Sequence, residues 1–165
     1  MSLRDRIQAD LADAMRTRDE TRKSTLRMLL SAIKNAEIRT PPAGASDEEL
    51  ARMAELPPLV LDDAAVFALI QKQIKQRKES IEQFAKAGRQ DLVEKESAEV
   101  AVLESYLPQQ AGRDEIEAAA RRVIAETGAS SPRDLGKVMP ILTREFAGRA
   151  DGRTINEIVR SLLGS

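Results

Sequence analysis

The chain has 165 residues, of which 32% are charged and 42% hydrophobic, and its formal net charge is −1. This length allows one domain or two small ones, and a charge near zero gives no overall basic field that would attract nucleic acid or a membrane. The chain contains no cysteine and no histidine. Disulfides, thiolate catalysis and cysteine-ligated zinc are therefore excluded, and the usual general base is missing. We expect no metal site and no cofactor.

The first hundred residues predict a series of helices. Ser2 and Asp5 have capping-box spacing, and apolar stripes at helical spacing run through residues 3–15 and 26–33. A proline-rich insertion, at about residues 41–61, breaks the pattern with four prolines and contains a short helix that begins near Ser46. A longer helix follows from Asp62 to a turn at residues 87–88, and another runs from about residue 91 until Pro108 stops it.

Three shorter helices are predicted beyond this point. The first covers about residues 114–127, the second opens with Ser131 as its cap and bends at Pro140, and the third is capped by Asp151. No stretch shows the sustained alternation of a strand. The sequence therefore predicts an all-α fold, with a long-helix N-terminal half followed by a compact three-helix C-terminal module. A boundary at residues 108–112 gives the domains 1–110 and 111–165.

The Gly136-Lys137 pair raises the question of a phosphate-binding loop. Such a loop needs a glycine five residues before the pair and a serine or threonine directly after it. Those positions hold Ser131 and Val138. No strand precedes the pair to lead into a loop of this kind. The sequence therefore excludes a nucleotide cradle here.

The same stretch places basic residues on one side of a helix. At about 100° per residue, Lys137 and Arg144 lie opposite the apolar stripe of their helix. The glycine-flanked turn that follows carries Arg149, and Arg153 begins the next helix. We predict that Lys137, Arg144, Arg149 and Arg153 form one exposed basic patch suited to phosphate groups. The alternative is an ordinary amphipathic surface with no ligand.

A charged residue also interrupts the apolar stripe of the longest helix. Position 77, where the stripe calls for an apolar side chain, is Arg77, and the stripe of the next helix contains Glu96. If the two helices form a hairpin, Arg77 lies near residues 96–100, and a buried charge must be paired. We predict a structural ion pair between Arg77 and Glu96, with Glu99 as the other possible partner, and favour this over a catalytic role.

Charge is also uneven along the chain. Residues 16–39 contain seven basic against three acidic residues, a balance of +4, and residues 41–63 contain one basic against six acidic, a balance of −5. Solvated helix faces often show such polarity. The longest apolar run, residues 64–70, is far shorter than the ~20 residues of a membrane span. The N-terminus lacks the apolar core of a secretory signal. We therefore expect a cytoplasmic protein with no membrane association.

Several segments together resemble the YqeY-like family, which are free-standing relatives of the tail domain of the GatB subunit of tRNA-dependent amidotransferases. The segments are STLRMLLSAIKNAEI (24–38), IKQRKESIEQFAKAGRQDLVEKE (74–96), LESYLPQQ (103–110), GASSPRDLGKVM (128–139) and GRADG (148–152). They occur in the family's order and span nearly the whole chain. The insertion at 41–61, Gly112 and Pro140 depart from the family pattern.

The resemblance implies an all-helical fold and an accessory protein that binds tRNA, with Lys137, Arg144, Arg149 and Arg153 as candidate contacts. It also implies an association with amidotransferase subunits, as a non-autonomous component of a carbon–nitrogen ligase that uses glutamine as amido-N-donor. The residues themselves offer no nucleophile–base pair for that chemistry. A helical protein–protein adaptor is the third interpretation, and the sequence leaves the oligomeric state open.

Overall fold

The structure, a computed structural model, describes residues 1–164. Eight α-helices and one turn of 3₁₀ helix make up the regular structure of these residues, which contain no strand. The expected all-helical class is therefore confirmed for this part of the chain. The helices are Leu3–Thr17 (α1), Glu20–Ala36 (α2), Asp47–Glu55 (α3), Asp63–Lys86 (α4), Gln90–Glu104 (α5), Arg113–Thr127 (α6), Leu135–Glu145 (α7) and Gly152–Leu163 (α8).

Two helical hairpins, α1–α2 and α4–α5, pack against each other. The first turns sharply because Arg18 adopts a left-handed conformation and Asp19 caps α2 by accepting a hydrogen bond from the Arg22 amide. The apolar stripes predicted from the sequence supply the core between the hairpins. Its buried members are Leu3, Ile7, Leu26, Leu29, Ile33, Val66, Ile70, Ile74, Val100, Leu103 and Tyr106.

The predicted capped helices begin where the sequence indicates. Ser2 and Asp5 form a reciprocal capping box at α1, and Ser46 and Glu49 form another at α3. The helix α5 ends earlier than expected, at Glu104 instead of residue 107. Its last turn tightens, because the amides of Tyr106 and Leu107 donate to carbonyls three residues back. The helix therefore ends before it reaches Pro108, the residue that was expected to stop it.

The helices α6, α7 and α8 pack against one another around a second apolar cluster. A 3₁₀ turn at Pro132–Asp134 leads into α7, and Ser131 and Asp134 form a capping box there. As expected, α7 continues through Pro140 as one helix. The buried residues of this cluster are Ile116, Ala120, Val123, Ala129, Val138, Leu142, Phe146, Ile155, Ile158, Val159 and Leu163.

The loop after α7 joins the two apolar clusters. The Gly148 carbonyl accepts a 2.8 Å hydrogen bond from Gln110 Nε2, and the Ala111 amide donates to the Arg149 carbonyl at 2.8 Å. Phe67 of α4 lies directly over Gly148, so that a Cβ at this glycine would come within 2.7 Å of the ring. The glycine has φ +75°, a conformation that disfavours other residues. The contact therefore needs glycine at position 148 both for its backbone conformation and for its lack of a side chain.

Candidate functional site

The outward face of α7 carries two of the predicted basic residues. Val138 and Leu142 are buried on the inner side of this helix, so Lys137 and Arg144 point to solvent. The Lys137 side chain is 63% exposed and its ammonium lies 3.3 Å from Asp134 Oδ1. A backbone hydrogen bond from Ser130, and then the Lys137 ammonium, hold the pKa of Asp134 below its ordinary value. Asp134 therefore stays ionised and offsets part of the charge of Lys137.

Arg149 is directed towards the chain segment that connects α5 to α6. Its Nε donates to the Gln109 carbonyl at 3.1 Å, and its Nη2 donates to Glu115 at 2.9 Å. The guanidinium also lies 5.7 Å from the centre of the Phe146 ring. Only a third of the side chain is exposed. These contacts give Arg149 a structural task, which is to hold the loop after α7 against the connecting segment and the start of α6.

Arg153 lies in the first turn of α8. Its side chain is 82% exposed, and Nε donates to Glu157 Oε1 at 3.1 Å. It lines a cleft between α4 and the start of α8, whereas Lys137 and Arg144 do not. Of the four predicted residues, Lys137 and Arg144 lie on one helix face, whereas Arg149 and Arg153 have other surroundings. Lys137 and Arg144 share the α7 face, Arg153 borders the cleft, and Arg149 is engaged in the loop, because the turn at 148–152 redirects the chain.

The cleft has a volume of about 1050 Å³ and contains charged residues of both signs. Lys72, Lys75 and Lys78 of α4 line it together with Arg153, and the acidic residues Glu79, Glu82, Glu104 and Asp151 line it as well. Lys78 is paired with Glu104 at 3.0 Å. Sequence reasoning missed the cleft because its walls come from helices far apart in the chain. The balance of charges makes it a mixed surface and not a basic one.

Arg77 is buried between α4 and α5. Its Nη1 donates to Glu96 Oε2 at 3.1 Å and also to Glu99, and its Nη2 lies 3.8 Å from the Met28 sulfur. Both Arg77 and Glu99 are buried. Two carboxylates thus surround one guanidinium, whose Nε has no hydrogen-bond partner among the described residues. The arrangement is that of a structural cluster between α4 and α5.

Residues 1–164 contain neither a cluster of metal-ligating side chains nor a helix that could span a membrane. No group of three or more acidic side chains in this part of the chain is placed to hold a metal ion. No helix in the same residues is long and apolar enough to cross a bilayer.

The fold and the site together define an all-helical protein with exposed cations on a helix face. A family model described as "Yqey-like protein" matches residues 4–163, and the chain belongs to this YqeY-like family. The resemblance seen in the sequence is thereby confirmed.

Fungal proteins named "Altered inheritance of mitochondria protein 41, mitochondrial" are similar to this chain. That of Lachancea thermotolerans is 39% identical over 128 residues, which are 76% of this chain and 60% of the relative. That of Kluyveromyces lactis is 34% identical over 152 residues, or 90% and 69% of the two chains. That of Pyrenophora tritici-repentis is 32% identical over 163 residues, or 97% and 80%. The matched part thus spans between three fifths and four fifths of these relatives.

These names contradict the expectation that the protein is cytoplasmic, because the relatives are described as mitochondrial. The expectation was wrong for a physical reason. It used the absence of a secretory-type apolar core, and import into an organelle does not depend on such a core.

Proposed function

We propose that this protein is an RNA-binding accessory module that binds folded tRNA through the phosphate backbone of the RNA. The observation that carries the proposal is the outward face of α7. Lys137 and Arg144 are exposed there, seven residues apart and therefore on the same side of the helix. Exposed Arg133 lies one turn earlier. Gly136 has open space around its Cα, so a backbone can approach this face closely.

The aromatic residues favour recognition of RNA shape over single-strand binding. Single strands are held mainly by bases stacked on aromatic side chains. The chain has one tyrosine, three phenylalanines and no tryptophan. Tyr106 and Phe146 are buried, and Phe67 is packed on Gly148. Arginine and lysine contacts to phosphates need no such platform, and double-helical RNA is recognised mostly through its shape and backbone.

The proposal includes the division into domains 1–110 and 111–165, with a long-helix N-terminal half and a compact three-helix C-terminal module. Support comes from the two apolar clusters, which contain residues 3–106 and 116–163 respectively and so lie on either side of this boundary. The C-terminal module corresponds in this proposal to the tail of the GatB subunit. An association with amidotransferase subunits follows from the same correspondence, with the amide-forming chemistry carried by those subunits.

The test is tRNA affinity across a salt series. We expect binding to weaken steeply with salt, and each lost phosphate contact to reduce the log–log slope by roughly 0.7–0.9. The variant Lys137→Ala/Arg144→Ala is compared with Lys86→Ala/Lys95→Ala, which removes the same charge at exposed positions near the tip of the α4–α5 hairpin. Wild type that fails to bind tRNA at low salt refutes the function. Equal affinity and slope for the two variants removes the α7 face from the site.

A further inference from the structure

The hydrogen bonds of the Arg77 guanidinium are unevenly distributed. Its Nη1 donates to two carboxylates of α5, those of Glu96 and Glu99. Among the described residues, its Nη2 has one hydrogen-bond partner, the Met28 sulfur at 3.8 Å, and its Nε has none. A thioether sulfur is a weak acceptor, whereas a guanidinium carries five N–H donors. The side of the guanidinium next to Met28 therefore lacks a strong acceptor.

Met28 is accessible to solvent although Arg77 is not. Met28 lies on α2 and is 55% exposed, whereas Arg77 lies on α4 and is only 8% exposed. The helix α2 packs on both α4 and α5, the two helices that hold the Arg77 cluster. A small oxidant in the solvent can therefore reach a side chain that contacts a buried charge.

The thioether of methionine is oxidised by peroxides, and sulfoxide reductases return the product to the thioether. A lone pair of the sulfur bonds to one oxygen of hydrogen peroxide, the O–O bond breaks, and the other oxygen leaves in a water molecule with both peroxide protons. The sulfur loses two electrons, and the peroxide gains them. An oxygen added to the Met28 sulfur lies within hydrogen-bonding reach of Arg77, because the sulfur is already 3.8 Å from Nη2.

We propose that Met28 is a site of reversible oxidation by peroxide, and that its sulfoxide oxygen accepts a hydrogen bond from Arg77. Hydrogen bonds from a charged donor are stronger than those between neutral groups. Oxidation usually disrupts an apolar core. Here it ties α2 more firmly to the α4–α5 hairpin, because the oxygen supplies the acceptor that Arg77 lacks. The inference does not depend on the proposed RNA binding, since none of its residues lies on α7.

Met15 provides a matched comparison in the same chain. It is 52% exposed, and its sulfur lies 3.9 Å from Nη2 of Arg27. Exposure and distance are therefore nearly the same as at Met28. Arg27 itself is exposed, however, so water satisfies its donors already, and a new bond to it contributes little. We expect peroxide to oxidise both methionines and only the oxidation of Met28 to stabilise the fold.

The first experiment compares wild type, Met28→Leu and Met15→Leu before and after treatment with hydrogen peroxide. Peptide mapping by mass spectrometry measures oxidation at each methionine, and urea unfolding measures stability. The effects of the other methionines are common to all three proteins. The shift in urea midpoint on oxidation should be more favourable in wild type than in Met28→Leu, and equal in wild type and Met15→Leu. Treatment with sulfoxide reductases should reverse the shift.

The second experiment uses glutamine in place of the sulfoxide and needs no oxidant. The amide carbon of glutamine takes the position of the sulfur, and its oxygen takes that of the sulfoxide oxygen. Met28→Gln and Met28→Leu are compared in urea, with Met15→Gln and Met15→Leu as the control pair for the general cost of glutamine. Relative to that pair, glutamine at position 28 should raise the folded-to-unfolded ratio roughly tenfold, as expected for a hydrogen bond to a charged group.

Three results overturn the proposal. The first is a Met28 that stays reduced under conditions that oxidise Met15. The second is an oxidation shift in wild type that is equal to, or less favourable than, that in Met28→Leu. The third is a difference between glutamine and leucine that is the same at positions 15 and 28.

Discussion

The Tyr106 hydroxyl donates a 2.6 Å hydrogen bond to Asp10 Oδ2, which joins the end of the α4–α5 hairpin to α1. The ring is buried, and the Arg6 guanidinium lies 5.1 Å from its centre. Burial, and then the hydrogen bond to Asp10, raise the pKa of Tyr106 well above the ordinary value of 10.0. The contact covers the N-terminal apolar cluster at the end from which the chain continues to Pro108.

This contact predicts a late titration of the tyrosine. The chain has one tyrosine and no tryptophan, so tyrosinate absorbance reports Tyr106 alone. Because the folded pKa is raised, the stabilisation is complete below pH 10 and is lost as pH rises above it. Tyr106 should titrate at a clearly higher pH in the folded protein than in the denatured protein. The Asp10→Asn substitution should lower the pKa of Tyr106 in the folded protein. A folded-state midpoint at the ordinary value, with native circular dichroism, contradicts the contact.

The Arg77 cluster predicts a large loss of stability on truncation. Arg77→Ala leaves Glu96 and buried Glu99 without their partner, and removal of one member of a buried pair typically costs about 3–5 kcal/mol. The measurement is the free energy of unfolding in urea. The control is Lys78→Ala, because Lys78 makes an exposed pair with Glu104 across the same two helices. Exposed pairs contribute about 0–1 kcal/mol. Equal losses for the two variants mean that the Arg77 cluster is not buried in solution.

The Phe67–Gly148 contact predicts a specific steric conflict. In Gly148→Ala the new methyl group meets the Phe67 ring, and overpacking typically costs about 1–3 kcal/mol in addition to the backbone strain. Gly128→Ala is the matched control, because Gly128 has φ +69° but open space around it. Thermal unfolding should therefore show a larger loss at position 148. Phe67→Leu in the Gly148→Ala background should recover part of that difference, and no recovery would refute the contact.

The composition predicts that the purified protein neither hydrolyses glutamine nor cleaves ATP on its own. It has no cysteine or histidine to supply the usual nucleophile or base, and the Gly136-Lys137 pair lacks the rest of a phosphate loop. Ammonia and phosphate release are the measurements. Turnover that persists through repurification and disappears on a point substitution would show that a catalytic site exists in this chain.

Local signals in the sequence predicted the helices well, because caps and apolar spacing act within one or two turns. The capping box at Ser2, the short helix that begins near Ser46 and the continuous α7 through Pro140 are examples. The early end of α5 was missed, because Pro108 fixes only the last position that the helix could reach and not the residue at which it ends. The structural ion pair of Arg77 was predicted because Arg77 stands where the helical spacing of the stripe calls for an apolar residue.

The arrangement of the basic residues could not be predicted in the same way. Arg149 and Arg153 are adjacent to α7 in sequence, but the turn at 148–152 sends one to Glu115 and the other to the cleft beside α4. Their directions depend on how helices distant in sequence pack. Whether a basic residue pairs with a carboxylate, as Arg153 does with Glu157, depends on the same packing and on local rotamers.

The way in which the two ends of the insertion are held has a consequence for how long the insertion can be. Glu37 binds Arg4 of α1 as well as the Leu61 amide, so the two ends of the insertion are fixed to the helices that carry the core. Whatever lies between residues 40 and 56 is thereby separated from the rest of the fold. Doubling the length of such a closed loop costs only about 0.6 kcal/mol. Evolution can therefore lengthen, shorten or replace this segment, and an engineer can substitute a foreign peptide for it, without altering the helices on either side.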